Sequence, residues 1–262
     1  MSEKTLDSRL SDRFGSSPQM PEELATIPAL TQLAARGSCR SFRSDPVDLP
    51  TLQTLCATAL CAPSKSDLQQ RDILIVTDPG LLKALKTLLG AQAWIADLPS
   101  MVVFLANNRR QRQIQHWNSQ PFANDHLDAF FNASVDAGIA LATFMIAAEA
   151  AGLGCCPIST IRNHLPQVQE LLQLPDHVFP VAGMAVGHPE APPQTSARLP
   201  LENTVHLNRF SDISEAEVRA YDDRRRAGTD APAWSEAKAK MYAEPQRTDF
   251  GAFMRKIGFN LD

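Results

Sequence analysis

With 262 residues, 44% of them hydrophobic and 21% charged, the chain has the composition of a globular protein, long enough for one large domain or two small ones. A formal net charge of −4 excludes the basic field on which non-specific nucleic-acid binding draws. No apolar run approaches the roughly 20 residues that cross a bilayer, and the polar start MSEKTLDSRLSDRFGSSPQ lacks the apolar core of a secretory signal. A cytoplasmic protein is expected, with neither nucleic acid nor membrane as partner.

In chain order, residues 1–20 are polar and are expected to be a mobile tail, followed by a single domain over 21–262. From Pro21 the pattern PEELATIPALTQLAAR is helical, with acidic residues in its first turn. Asp48 precedes a second helical face made by Leu52, Leu55, Ala59 and Leu60. DILIVT, Asp72 to Thr77, is a buried strand, and Asp78-Pro79 is an N-cap with proline at the first helical position. MVVFLA, Met101 to Ala106, gives a second strand, followed by the basic run RRQRQIQHW.

Residues 125–151 form a long Ala- and Phe-rich helix that is apolar on most sides, so it belongs in a core or against another subunit. Gly152 ends it, GLGCCPIS gives a third strand, HLPQVQELLQL a helix, and VFPVAGMAVG, Val178 to Gly187, a fourth strand. From Ser214 onward the chain reads as charged helices, an extension broken at TDAPAW and AEPQ. Strands interleaved with helices point to an α/β or α+β sandwich.

Five cysteines (Cys39, Cys56, Cys61, Cys155 and Cys156) include no C-x-x-C, and the six histidines include no H-x-H or H-x-x-x-H. Reduced thiols are expected, without a disulfide scaffold or a metal site. GLGCCP lacks the third glycine of a dinucleotide loop and lies between a helix and a strand, the reverse of the order such a loop needs. The chain has no G-x-x-x-x-G-K-[ST] and no G-x-S-x-G, so phosphate-loop and serine-hydrolase chemistry have no anchor.

RGSCRSF, Arg36 to Phe42, sets two arginine forks beside small hydroxyls, a pattern that suits a phosphate and equally a solvated basic turn. PSKSDLQQ, Pro63 to Gln70, reads a ligand edge or caps the neighbouring elements. SARLP, Ser196 to Pro200, adds Arg198 after a long proline-rich loop.

Taken in order, RGSCRSF, CAPSKSDLQQRDILIVTD, AAEAAGLGCCPISTIRN, LLQLPDHVFPVAGMAVGHP and ARLPLENTVH resemble the FMN-dependent nitroreductase family, especially its NADPH-preferring nitro- and flavin-reductase branch. The resemblance covers residues 34–221. It implies an α+β nitroreductase-like fold, with a central, mainly antiparallel or mixed sheet flanked by helices, in an intertwined homodimer. It places Arg36, Ser38 and Arg40 on the FMN phosphate, ribityl chain and ring edge, and Arg198 on the phosphate. Pro63, Ser64, Ser66, Asp67 and Gln69 match a loop that reaches the flavin from the other subunit. Pro157, Ile158, Ser159 and Thr160 match a strand end along the flavin near N5, and the long apolar helix matches the family's dimer helix.

Three positions depart from the family pattern. Ser196 stands where a lysine usually joins the phosphate site, Thr160 where glycine often lies near N5, and Asp67 where asparagine is common. An ionised aspartate only accepts hydrogen bonds and opposes negative charge on the reduced ring, with Lys65 or Arg71 as the candidate compensating cations.

The implied activity is hydride transfer from NADPH or NADH to FMN and on to a nitroaromatic, quinone or flavin acceptor, by a ping-pong cycle in which no side chain is the catalytic group. Arg224, Arg225 and Arg226 either meet a 2′-phosphate or cover a solvated helix face, and Arg109, Arg110 and Arg112 offer the same choice. Two other readings stay open: a relative with unusual chemistry, such as flavin fragmentation or reductive dehalogenation, and a non-catalytic flavin-binding protein.

Overall fold

The computed structural model describes residues 4–262, and the first three positions of the expected tail lie outside the described residues. The chain divides into two compact units, residues 1–37 with 194–246, and residues 38–193 with 247–262.

Within the stretch expected to be a tail, residues 6–14 are helical. α1 (Leu6–Phe14) starts at Thr5, whose hydroxyl accepts from the Ser8 amide, and stops at Gly15, left-handed at φ 90°. Leu6, Leu10 and Phe14 fall on one face at fourfold spacing, with Leu6 and Arg13 buried. The helix expected after Pro21 is split by a proline into α2 (Glu22–Ala25) and α3 (Pro28–Ala35).

The second unit begins with α4 (Leu49–Leu60), capped by Asp48, which accepts the Thr51 amide at 2.9 Å. β1 (Arg71–Val76), α5 (Pro79–Leu88), β2 (Ser100–Asn107), α6 (Arg109–Trp117), α7 (Leu127–Ala150), β3 (Gly154–Ile158), α8 (Leu165–Leu171) and β4 (Val178–Gly187) follow. α9 (Glu215–Arg226) and α10 (Trp234–Met241) return to the first unit, and α11 (Phe250–Lys256) to the second. The break after α7 is a Schellman turn. Gly152, at φ 79°, donates to Glu149 and Leu153 donates to Ala148.

The strands form one sheet in the order β1-β2-β4-β3, and every neighbouring pair is antiparallel. The architecture is therefore α+β, without the parallel pairing of a mixed sheet among the described residues. β2 is buried along its whole length because both sheet faces are covered. Val102 and Phe104 pack with Leu52, Leu55 and Phe144 of α4 and α7, while Val103 and Leu105 pack with Leu85 of α5 and Val168 of α8. Phe104 and Phe144 meet edge-on, centroids 5.5 Å apart, a geometry that contributes about 0.5–1.5 kcal/mol beyond burial. Phe253 and Met254 of α11, with Ile257 that caps it, close the end of the core beside Ala133 and Ala137.

By length and composition α7 is apolar enough to cross a membrane, contrary to the sequence expectation. In this fold Ala133, Asp136, Ala137, Ala140 and Phe144 are buried within the unit, while Leu127, Phe131, Val135 and Ile146 remain exposed.

Candidate functional site

The division between the two units passes through RGSCRSF, between Gly37 and Ser38. In the first unit, Arg36 caps α3 and lines, together with Arg198, a cavity of about 490 Å³ walled by Leu10, Phe14, Leu24 and Leu33. The buried guanidinium of Arg13 gathers these segments. Its Nε donates to the Ala34 carbonyl at 2.8 Å, Nη1 to Ser196 at 3.3 Å and Nη2 to Arg36. The Arg198 amide donates to the Arg13 carbonyl at 2.7 Å. Ser196, in the lysine position, accepts from the Arg198 guanidinium at 2.6 Å.

The triple-arginine run of α9 faces the same segments. Arg224 donates to the carbonyls of Arg13 and Arg198, Arg225 to that of Ala197 at 3.0 Å, and Arg226 pairs with Asp223 at 2.6 Å. Arg224 and Arg225 thus brace the backbone that carries Ser196 and Arg198, while Arg226 stays on the exposed face of α9.

In the second unit, Ser38 is half-buried and the Cys39 amide donates to the Cys155 carbonyl at 2.9 Å, tying the stretch to β3. Burial raises the pKa of the Cys39 thiol, which donates to the Ser41 carbonyl at 3.2 Å. A Cβ on Gly154 would lie 2.6 Å from the Cys39 sulfur, so this close approach needs glycine. The exposed Arg40 guanidinium lies 5.9 Å from the Trp94 ring centre, within cation–π range, beside a cavity of about 630 Å³.

The loop after α4 presents Pro63, Ser66, Asp67 and Gln69 to solvent, with Ser64 half-buried. Ser66, Asp67 and Gln69 have φ values of 49°, 56° and 52°, the left-handed region that few non-glycine residues adopt. The Ser64 hydroxyl accepts the Gln69 amide at 3.2 Å, and Asp67 accepts from the Gln69 side chain at 3.2 Å. Neither expected cation compensates Asp67. Lys65 pairs with Asp128 at 3.5 Å, and Arg71 donates to the carbonyls of Leu60 and Ala62.

At the far edge of the sheet, Pro157 and Ser159 are exposed and Ile158 is buried. A proline fits here because β3 is an edge strand of the sheet. The Thr160 hydroxyl oxygen is shielded from solvent without a hydrogen-bond partner. No cluster among the described residues could hold a metal.

The structure thus brings Arg36, Ser196 and Arg198 together in the first unit, and places Ser38, Arg40, the 63–69 loop and the 157–160 strand end in the second. Sequence reasoning missed three residues. Arg13 fell within the expected tail, buried Asp136 lay hidden in the apolar helix, and Arg110, read only as part of a basic run, donates to the Gln69 carbonyl.

The sequence model described as "Nitroreductase family" matches residues 33–188, and "Nitroreductase family, C-terminal domain" matches residues 196–262. A Bacillus subtilis protein named "FMN reductase [NAD(P)H]" is 31% identical over 245 residues, covering 89% of this chain and 98% of the relative. An "Oxygen-insensitive NADPH nitroreductase" of Salmonella typhimurium is 31% identical over 240 residues, covering 88% and 98%. The crystal structure of nitroreductase A from Vibrio parahaemolyticus superposes with a TM-score of 0.81 at 31% identity, covering 89% of this chain and 98% of that one. Matched from the first strand to the last helix, this chain is a member of the nitroreductase family.

Proposed function

We propose that this protein binds FMN and uses it to pass hydride from NADPH or NADH to a nitroaromatic, quinone or flavin acceptor in a ping-pong cycle. The observation that carries this reading is the near full-length relationship to proteins named FMN reductase and NADPH nitroreductase. The residues present fit the cofactor. Arg36 and Arg198 are forked cations suited to its phosphate, and a hydroxyl buried without a partner at Thr160 is a site that gains from an acceptor.

Bound FMN would supply the hydride and electron chemistry at its N5 atom. The chain supplies binding and electrostatics. Arg36 and Arg198 would hold the phosphate, and Ser38 and Arg40 are the residues that the family resemblance assigns to the ribityl chain and ring edge. Ser66, Asp67 and Gln69 would address the polar edge of the ring, and Pro157 to Thr160 would serve its N5 side. Cations near the ring stabilise added negative charge, whereas Asp67 opposes it. A second copy of the chain covers the exposed Leu127, Phe131 and Val135 of α7, and its 63–69 loop reaches the first copy's flavin.

The test is spectroscopic. The purified protein should be yellow, or become so on FMN addition, and NADPH or NADH should bleach it anaerobically until an oxidant restores the colour. A protein that takes up no FMN overturns the reading. A yellow protein that neither nicotinamide bleaches is a binder without this activity.

A further inference from the structure

The 65–70 loop is fixed at both ends by one side chain. Asp136, fully buried in the middle of α7, accepts the Lys65 amide at 2.9 Å through one carboxylate oxygen and the Gln70 amide at 3.1 Å through the other. The left-handed residues Ser66, Asp67 and Gln69 lie between these two anchors. Such conformations persist at non-glycine positions only where the surroundings over-determine them.

The carbonyl side of the loop is held separately from α6, where Gln111 donates to Leu68 and Arg110 to Gln69. The Gln70 side chain accepts from Asn108 at 2.8 Å, and the Asn107 amide donates to the Gln70 carbonyl at 3.0 Å. Most of the loop backbone is therefore bonded inward, leaving the side chains of Ser66, Asp67 and Gln69 outside.

We infer that Asp136 is a positioning residue, setting the pose in which Ser66, Asp67 and Gln69 address the flavin ring. This rests on the FMN reading above and adds to it a residue that never touches the cofactor. A carboxylate is suited to the task because both of its oxygens accept. Asparagine would turn an NH₂ donor toward one of the two amides, and alanine would leave both without an acceptor in a dry site.

The test compares wild-type protein with Asp136→Asn. In the FMN-free wild type, hydrogen exchange at the Lys65 and Gln70 amides should be slow, with Ser66 fast. In the variant the two anchored amides should exchange at least about tenfold faster and the FMN Kd should rise about tenfold, the scale of a lost charged hydrogen bond. The midpoint potential of bound FMN should also move, which lost stability alone would not produce.

An Asp136→Asn protein that binds FMN with unchanged Kd and potential overturns the inference. If that variant does not fold, wild-type exchange decides, and anchored amides as fast as Ser66 overturn it. A wild-type protein that takes no FMN instead sinks the functional reading, and the inference with it.

Discussion

The hydroxyl of Ser196 accepts a hydrogen bond from the guanidinium of Arg198 at 2.6 Å. A residue that subtracts a cation from the expected phosphate site thus orients one that remains. Ser196→Ala should free the Arg198 fork and weaken FMN binding about three- to tenfold, in keeping with the loss of one hydrogen bond to a charged group. Ser196→Lys should steepen the salt dependence of binding by adding a phosphate contact. Flavin fluorescence titrations check both, and equal affinity in the alanine variant would show that the pose of Arg198 does not matter.

Arg13 makes three hydrogen bonds to backbone carbonyls from a buried position. Arg13→Met keeps the aliphatic stem and removes the donors, leaving acceptors without partners. A loss of about 2–4 kcal/mol is expected, since bonds from charged donors contribute more than neutral ones. Arg13→Lys should recover little of it, because one ammonium cannot span three acceptors placed for a planar fork. Denaturant unfolding measures both losses, and full stability in the lysine variant would count against the fork.

Asp67→Asn should raise the midpoint potential of bound FMN by removing a negative charge from the ring edge. Asp67 is exposed, and Lys65 and Arg71 are engaged elsewhere, so the carboxylate meets no compensating cation from either. Spectroelectrochemistry decides, and a potential that stays or falls removes Asp67 from the flavin.

Burial lowers the pKa of His177 from its ordinary 6.5, the neighbouring Arg112 charge adds to the effect, and the bond to the Gly258 carbonyl opposes it. The folded state therefore binds fewer protons than the unfolded chain. The stability involved is present above pH 6.5 and is lost as pH falls below it, towards the folded pKa. His177→Asn, which tolerates the positive φ of 64°, should flatten that acid slope. Urea midpoints across the range from about pH 7 to about pH 5 test it.

Local chemistry was legible in the sequence. β4 spans the expected Val178–Gly187, Asp48 and Asp78 cap the helices they precede, and Gly152 ends α7, because capping and turn preferences act over a few residues. α1 was not legible because its apolar face has only three members within a polar run. The left-handed backbone of Ser66, Asp67 and Gln69 carries no glycine signal, and the carboxylate that anchors the loop's two ends lies some 66 to 71 positions away at Asp136. The basic runs were legible as charge, but their carbonyl partners on distant loops were not.

The interleaving of the two units constrains their assembly. α1 to α3 emerge first during synthesis, yet residues 194–246, which complete their unit, follow only after the whole sheet has been made. The sheet unit in turn waits for α11, whose Phe253 and Met254 fill the end of its core together with Ile257 just beyond it. The first unit therefore finishes only after the sheet has been made and the second only with the last sixteen residues, so a premature stop after α10 would deprive the sheet of that seal.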